Sequence, residues 1–233
     1  MIKISILIPV YNEEATIIYL LKSVQKEISK IKTVNFEIIV IDDCSNDNTS
    51  KLLRENENLY NHVISLEKNQ GKGGAILQGL EKAKGEYILF QDADLEYSPK
   101  DYKTLIRPIV DFDVDVVMGS RFLAPQFTRV HYFWHKVGNW GLTLIFNILN
   151  NTTFTDIYCC YLIYRKSLVP LEKIKTIGWE QHGEILSLAI KKGEVFFEVP
   201  ITYRGRSYDE GKKIRGFHIF KILYTITMTR FFT

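Results

Sequence analysis

Apolar runs and helical stripes alternate through the first half of the chain. "KISILIPVY" is rich in β-branched residues, and "FEIIVIDD" is nearly continuous in apolar side chains, as a strand buried on both faces requires. Between them, "NEEATIIYLLKSVQKEI" repeats its apolar residues at helical spacing, with Ile17, Leu20, Leu21, Val24 and Ile28 on one stripe. A helix capped by Ser45 or Asp47 follows in "CSNDNTSKLLREN". Then come the strand "HVISLE", the glycine-rich helix start "NQGKGGAILQGLEKAKG", the strand "EYILFQDAD", a helix near Pro99 to Val110, and the strand "VDVVMGSRF". The order β-α-β-α-β-α-β-α-β predicts an α/β fold, with a mostly parallel sheet, helices on both faces and right-handed crossovers.

The second half is less regular. "RVHYFWHKVGNWGLTLIFNILNN" has a helical pattern dense in aromatics, and "GFHIFKILYTITMTRFF" is a second aromatic-rich helix at the C-terminus. "DIYCCYLIYRKSLV" and "EVFFEVPITYRG" predict strands, with a helix around Glu184 to Lys192 between them. No internal repeat, low-complexity tract or linker interrupts the chain. The expectation is one domain over residues 1–233, with halves at 1–125 and 126–233.

Composition changes this picture little. The chain of 233 residues is 46% apolar and carries a net charge of +3, which gives no global pull toward nucleic acid. Its cations matter by position, because "YRGRSYDEGKKIR" concentrates them near the C-terminus, suiting bound phosphates or an anionic membrane surface. Cys44, Cys159 and Cys160 have neither disulfide-framework nor zinc spacing, so a reducing, cytoplasmic compartment is expected. No uninterrupted apolar window reaches 18 residues, so any bilayer contact is expected to be peripheral.

Polar and small residues follow every strand of the first half: "YNEE", "DDCSND", "KNQGKGG", "DADLE" and "GSRF". Ligands of such sheets bind beyond the carboxyl ends of the strands, so one shared cleft is predicted. Asp92, Asp94 and Glu96 repel one another unless a cation lies between them or they face solvent separately. Their alternate spacing lets all three converge on a hard cation such as Mg²⁺ or Mn²⁺, completed by substrate phosphates. Gly71, Gly73 and Gly74 allow close backbone approach at a helix start, and Lys72 makes that turn a phosphate or nucleotide contact. Asp42 and Asp43 suit a ribose or base, although helix capping accounts equally well for one of them. Glu13 has the same two readings. Arg121, Arg206 and Lys212 suit phosphate oxygens. For Lys213 and Arg215 a solvated loop stays open. His131 and His135 lack an HExxH setting, and no GxSxG elbow supports a serine hydrolase.

Taken in order, "ILIPVYNEE", "IVIDDCSNDNT", "NQGKGGA", "DADLE" and "GSRF" resemble the family 2 glycosyltransferases of the GT-A fold. "TDIYCCYLIYRK" and "VPITYRGRSYDEGKKI" resemble the branch that includes dolichyl-phosphate mannose synthase and bacterial polyprenyl-phosphate glycosyltransferases. The resemblance spans nearly the whole chain. It implies a nucleotide-diphosphate sugar as donor, cradled by Pro9, Tyr11, Glu13 and Asp43, with Lys72, Asp92 and Ala93 beside them. It further implies Asp94 and Glu96, with Asp92, on a Mg²⁺ or Mn²⁺ ion, and Arg121, Arg206 and Lys212 on donor and acceptor phosphates. Asp156 matches an acid near the reacting centre, so Asp94, Asp156 and Arg121 are the expected catalytic set. The implied acceptor is a polyprenyl phosphate at the cytoplasmic face of a membrane, attacked with inversion. A saccharide hydroxyl acceptor and a non-catalytic nucleotide-sugar-binding subunit are the alternatives. The Cys159–Cys160 pair stands where many relatives have Ser-Gly, and "WEQHGE" departs from the commoner acidic pattern.

Overall fold

The computed structural model describes residues 1–123, 133–205 and 218–232. Arg206, Lys212, Lys213, Arg215 and His131 lie outside the described residues. One seven-stranded sheet organises the chain, in the order β3-β2-β1-β4-β6-β5-β7. Strand β1 (Ile2–Val10) sits inside it, parallel to β2 (Val34–Asp42) on one side and β4 (Tyr87–Phe90) on the other. Both faces of β1 are covered, which is why Ile4, Ile6, Leu7 and Ile8 are all buried. Strand β3 (His62–Ser65) extends the sheet beyond β2.

Helix α1 (Ile17–Ile28) buries the predicted stripe of Ile17, Leu20, Leu21 and Val24. Helix α2 (Thr49–Glu55) is short, and α3 (Gly71–Lys82) packs on β1 and β2. The helix expected near Pro99 begins as a 3-10 turn at Pro99–Asp101, with Ser98 accepting the Lys100 amide, and continues as α4 (Tyr102–Phe112). Proline suits a first turn because its missing N–H has no intrahelical partner there. Strand β5 (Val116–Ser120) then ends in Arg121.

The chain next passes through α5 (Phe133–Asn150) and re-enters the sheet from its carboxyl edge. Strand β6 (Leu162–Arg165) therefore runs antiparallel between β4 and β5. It is shorter than the predicted strand, because residues 155–160 cross the site before pairing begins at Tyr161, whose carbonyl accepts the Gly119 amide at 2.8 Å. Helix α6 (Gln181–Lys192) starts three residues earlier than expected, β7 (Phe196–Pro200) pairs with β5, and α7 (His218–Phe232) packs against α5 and α6. No described helix is long and apolar enough to cross a membrane.

Candidate active site

The carboxyl ends of β1, β2, β4 and β5 and the start of α3 open onto a single cavity of about 840 Å³. Pro9, Tyr11, Glu13, Asp43, Lys72, Asp92, Ala93, Asp94, Glu96 and Arg121 all line it. The far wall differs in character: Trp134 and Leu142 of α5 and Ile219 and Ile222 of α7 give it an apolar strip, beside His135, Lys136 and Asn139 of α5.

The two acids ending β2 divide their roles. Asp42 accepts the Ser45 amide at 3.0 Å and the Ser50 hydroxyl, so it holds the following loop. Asp43 faces the cavity and accepts the Gln70 amide at 2.7 Å, and burial raises its pKa. Glu13 stands at the start of α1 and at the cavity edge. It lines the cavity, and its Oε2 accepts the Thr16 hydroxyl at 2.8 Å at the start of α1.

Lys72 reaches across from α3 to form an ion pair with Asp92. Burial opposes the charge on each group, yet each holds the other ionised: Lys72 is raised above its usual range and Asp92 is lowered. The Cys160 sulfur lies 3.9 Å from the same ammonium, and burial drives that thiol's pKa upward, so it is neutral. The glycines on either side of Lys72 serve backbone geometry and packing. Gly71 has φ +75°, open to glycine at no steric cost, and a Cβ on Gly73 would collide with the Ile177 backbone carbonyl. Backbone proximity of α3 to the 176–179 segment, not an open phosphate cradle, accounts for Gly73.

Asp92, Asp94 and Glu96 lie on one tight turn but do not converge as expected. Among the described residues no three metal-binding side chains share one point. Asp92 is paired with Lys72, Asp94 Oδ1 accepts the Glu96 amide at 3.1 Å, and Glu96 Oε2 accepts the Tyr203 hydroxyl at 3.0 Å. The turn reverses direction through Leu95, whose φ of 62° folds it away from the extended geometry that convergence required. Its donors remain hard oxygens, which fits the mode in which one or two carboxylates and substrate phosphates hold Mg²⁺ or Mn²⁺.

Arg121 and Asp156 form the second charged pair. Asp156 is fully buried, and its oxygens accept Arg121 Nε at 2.6 Å, Nη2 at 2.8 Å, the Arg121 amide at 3.1 Å and Asn139 Nδ2 at 3.0 Å. Burial alone would raise the carboxyl pKa, but the guanidinium carries it below the usual range. Four donors leave little capacity for proton transfer, so Asp156 orients Arg121. The guanidinium also lies 5.1 Å from the Tyr203 ring centroid and 5.7 Å from that of Phe122.

Sequence reasoning missed three features. Gln91, fully buried beneath the acidic turn, makes four side-chain hydrogen bonds. His182 lines the cavity between Phe90 and Tyr158, with Nε2 buried and unpartnered; burial and the Lys72 charge lower its pKa to about 4. Glu180 pairs with Lys221 of α7 at 2.8 Å, whereas Glu184 accepts the Lys175 and Thr176 amides at 2.9 Å each and supports a loop. A polar residue inside an apolar strand run, as in "LFQDAD", is the one signal that could have flagged Gln91.

Residues 5–170 match the Glycosyl transferase family 2 profile. UDP-N-acetylglucosamine–dolichyl-phosphate N-acetylglucosaminyltransferase of Methanococcus voltae is 31% identical, over 97% of this chain and 96% of its own length. Dolichol-phosphate mannosyltransferase of Pyrococcus furiosus is 28% identical, over 95% of this chain and 64% of its own. Among solved structures, glucosyl-3-phosphoglycerate synthase of Mycobacterium tuberculosis, in complex with Mn²⁺, UDP and glucosyl-3-phosphoglycerate, superposes with a TM-score of 0.67. It is 19% identical, covering 98% of this chain and 79% of that one, and shares the GT-A fold.

Proposed function

The chain belongs to glycosyl transferase family 2, and from that premise we propose that it moves a sugar from a nucleotide-diphosphate sugar to a polyprenyl phosphate, with inversion at the anomeric carbon. The observation that carries this reading is the two-sided cavity. One wall offers the carboxylates and cations that a sugar nucleotide needs, and the other carries an apolar strip of Leu142, Ile219 and Ile222 from α5 and α7 suited to a prenyl chain. Relatives named for dolichyl-phosphate and dolichol-phosphate transfer support the same acceptor class.

In this reading residues 1–125 bind the donor, through Pro9, Tyr11, Glu13, Asp43, Lys72 and Ala93, and residues 126–233 bind the acceptor. A phosphate monoester has a second pKa of about 6, so the acceptor oxygen is already anionic and needs no general base. Arg121, fixed by Asp156, aims its guanidinium at phosphate oxygens, and Arg206 and Lys212 add charge from the following segment. Asp94, with Asp92 or Glu96, would hold Mg²⁺ or Mn²⁺, which offsets the charge building on the departing nucleoside diphosphate.

The lipid reading extends to the outer face of α5. Phe133, Val137, Trp140, Leu144 and Ile148 recur at helical spacing and are exposed, as are Phe220, Tyr224, Phe231 and Phe232 of α7. Lys136 and Lys221 flank them. Such a face suits peripheral contact with the headgroup region of a membrane, on the cytoplasmic side.

Radiolabelled sugar nucleotide is the test, with polyprenyl phosphate, the corresponding polyprenol or a saccharide as acceptor, and with Mg²⁺ or EDTA. Organic-extractable label that requires both phosphate and metal is expected. Label confined to a water-soluble glycan, or donor binding without transfer to any acceptor, would overturn the proposal.

A further inference from the structure

We propose that Gln91 is a positioning residue: it fixes the span of the acidic turn at 92–97 and makes that turn prefer small divalent cations to large ones. The inference rests on the metal reading given above and adds a determinant of which ion is taken.

Gln91 is the last residue before the turn and is fully buried. Its backbone amide still pairs with Leu7 of β1, so its main chain belongs to the sheet. Its side-chain amide nitrogen donates to the Asp92 carbonyl at 2.9 Å and to the Tyr97 carbonyl at 3.3 Å. One side chain therefore holds the first and the last residue of the turn. The amide oxygen in turn accepts the Tyr102 and Tyr161 hydroxyls, each at 2.8 Å. Those two tyrosines belong to α4 and to the segment entering β6, so the clamp is anchored in two independent elements.

The amide satisfies two buried tyrosine hydroxyls and two turn carbonyls at once, so its desolvation is offset by four hydrogen bonds. Fully satisfied polar networks rigidify what they hold. What is held here is a turn with Leu95 in the left-handed region and with three carboxylates at alternate positions. Opposite the clamp, Tyr97 pairs with Tyr203 through a β-bridge, and the Arg204 amide donates to the Glu96 carbonyl at 2.9 Å. The turn is thus tied from below and from the side.

Rigidity has a chemical consequence. Mg²⁺ and similarly small ions need ligands at about 2.1 Å in near-fixed geometry, whereas Ca²⁺ accepts about 2.3–2.6 Å and irregular shells. A clamped turn resists the spreading that a larger ion's irregular shell asks for, whereas a loosened one allows it.

The test compares wild type with Gln91→Met and, as the milder variant, Tyr102→Phe, which removes one anchor and leaves the amide in place. Mn²⁺ binding is read by electron paramagnetic resonance and Ca²⁺ binding by calorimetry, both with saturating UDP or GDP, whichever wild type binds. Gln91→Met is expected to weaken Mn²⁺ about tenfold and Ca²⁺ no more than about twofold, and Tyr102→Phe to weaken Mn²⁺ about threefold, the scale of lost hydrogen bonds. Nucleotide is kept saturating for each variant, so a change in nucleotide affinity does not enter the Mn²⁺-to-Ca²⁺ ratio. An unchanged Mn²⁺-to-Ca²⁺ ratio in both variants overturns the inference, and if Gln91→Met fails to fold, Tyr102→Phe decides alone. Wild type that binds no Mn²⁺ with either nucleotide overturns the metal reading itself, and this inference with it.

Discussion

Asp156→Asn is the substitution whose outcome separates orientation from acid–base chemistry. It keeps the shape of the side chain but removes the charge that faces Arg121, whose side chain is only 15% exposed. Breaking a buried ion pair from one side costs about 3–5 kcal/mol, because the remaining charge keeps its desolvation penalty. For a chain of this size about 2–4 °C is lost per kcal/mol, so the melting temperature should fall by roughly 6–20 °C. The double variant Asp156→Asn with Arg121→Met removes both charges. It should regain most of that stability while sugar transfer stays lost, since no guanidinium then meets the phosphates. The pH dependence follows from the lowered pKa of Asp156. Its contribution is fully present above the unfolded value of 3.8 and is lost as pH falls through the lower folded value. The stability gap between wild type and Asp156→Asn should therefore hold at neutral pH and close only below about 3.8. Calorimetric unfolding together with the transfer assay reads all of this. A single variant that melts within about 1 °C of wild type, or a double variant that transfers sugar normally, would refute the reasoning.

Three further outcomes follow from packing and exposure. Gly73→Ala forces a Cβ into the Ile177 carbonyl, so the 176–179 segment must shift, and the donor KM should rise about tenfold or more. Glu184→Ala leaves the Lys175 and Thr176 amides without their acceptor; unfolding should cost about 1–3 kcal/mol less, and because the next residues line the cavity the donor KM should also rise, though less than in Gly73→Ala. Replacing Trp140 and Ile148 together by serine should abolish sedimentation with anionic vesicles while leaving turnover of a detergent-dispersed acceptor intact.

The donor side of the fold was legible because its inner strands β1, β2 and β4 are largely buried and write themselves as apolar runs, as in "FEIIVIDD", while the edge strand β3 alternates. The cleft residues were legible for a related reason: chain polarity in a parallel sheet sends every strand end to one edge. Asp43 and Lys72 therefore came together as predicted, from segments far apart in sequence. The acidic turn was misjudged because alternate spacing implies one face only while the backbone stays extended, and Leu95 ends that extension. The Asp156–Arg121 pair and the Gln91 clamp were invisible because each depends on β6 entering antiparallel from the site edge, a long-range choice that no local pattern encodes. The aromatic density of α5 and α7 does not by itself say whether these residues face a bilayer, a dimer contact or the core, and the exposure of Trp140 and Phe220 removes the core for those two.

The union of a donor-binding edge and a prenyl-binding wall in one cavity is tested most directly by a crystal soaked with Mn²⁺, a sugar nucleotide and a short prenyl phosphate. Anomalous signal at Asp94, the acceptor phosphate at Arg121 and prenyl density along Leu142, Ile219 and Ile222 are the expected result. Metal bound away from the acidic turn, or a prenyl chain lying outside the cavity, would contradict the account.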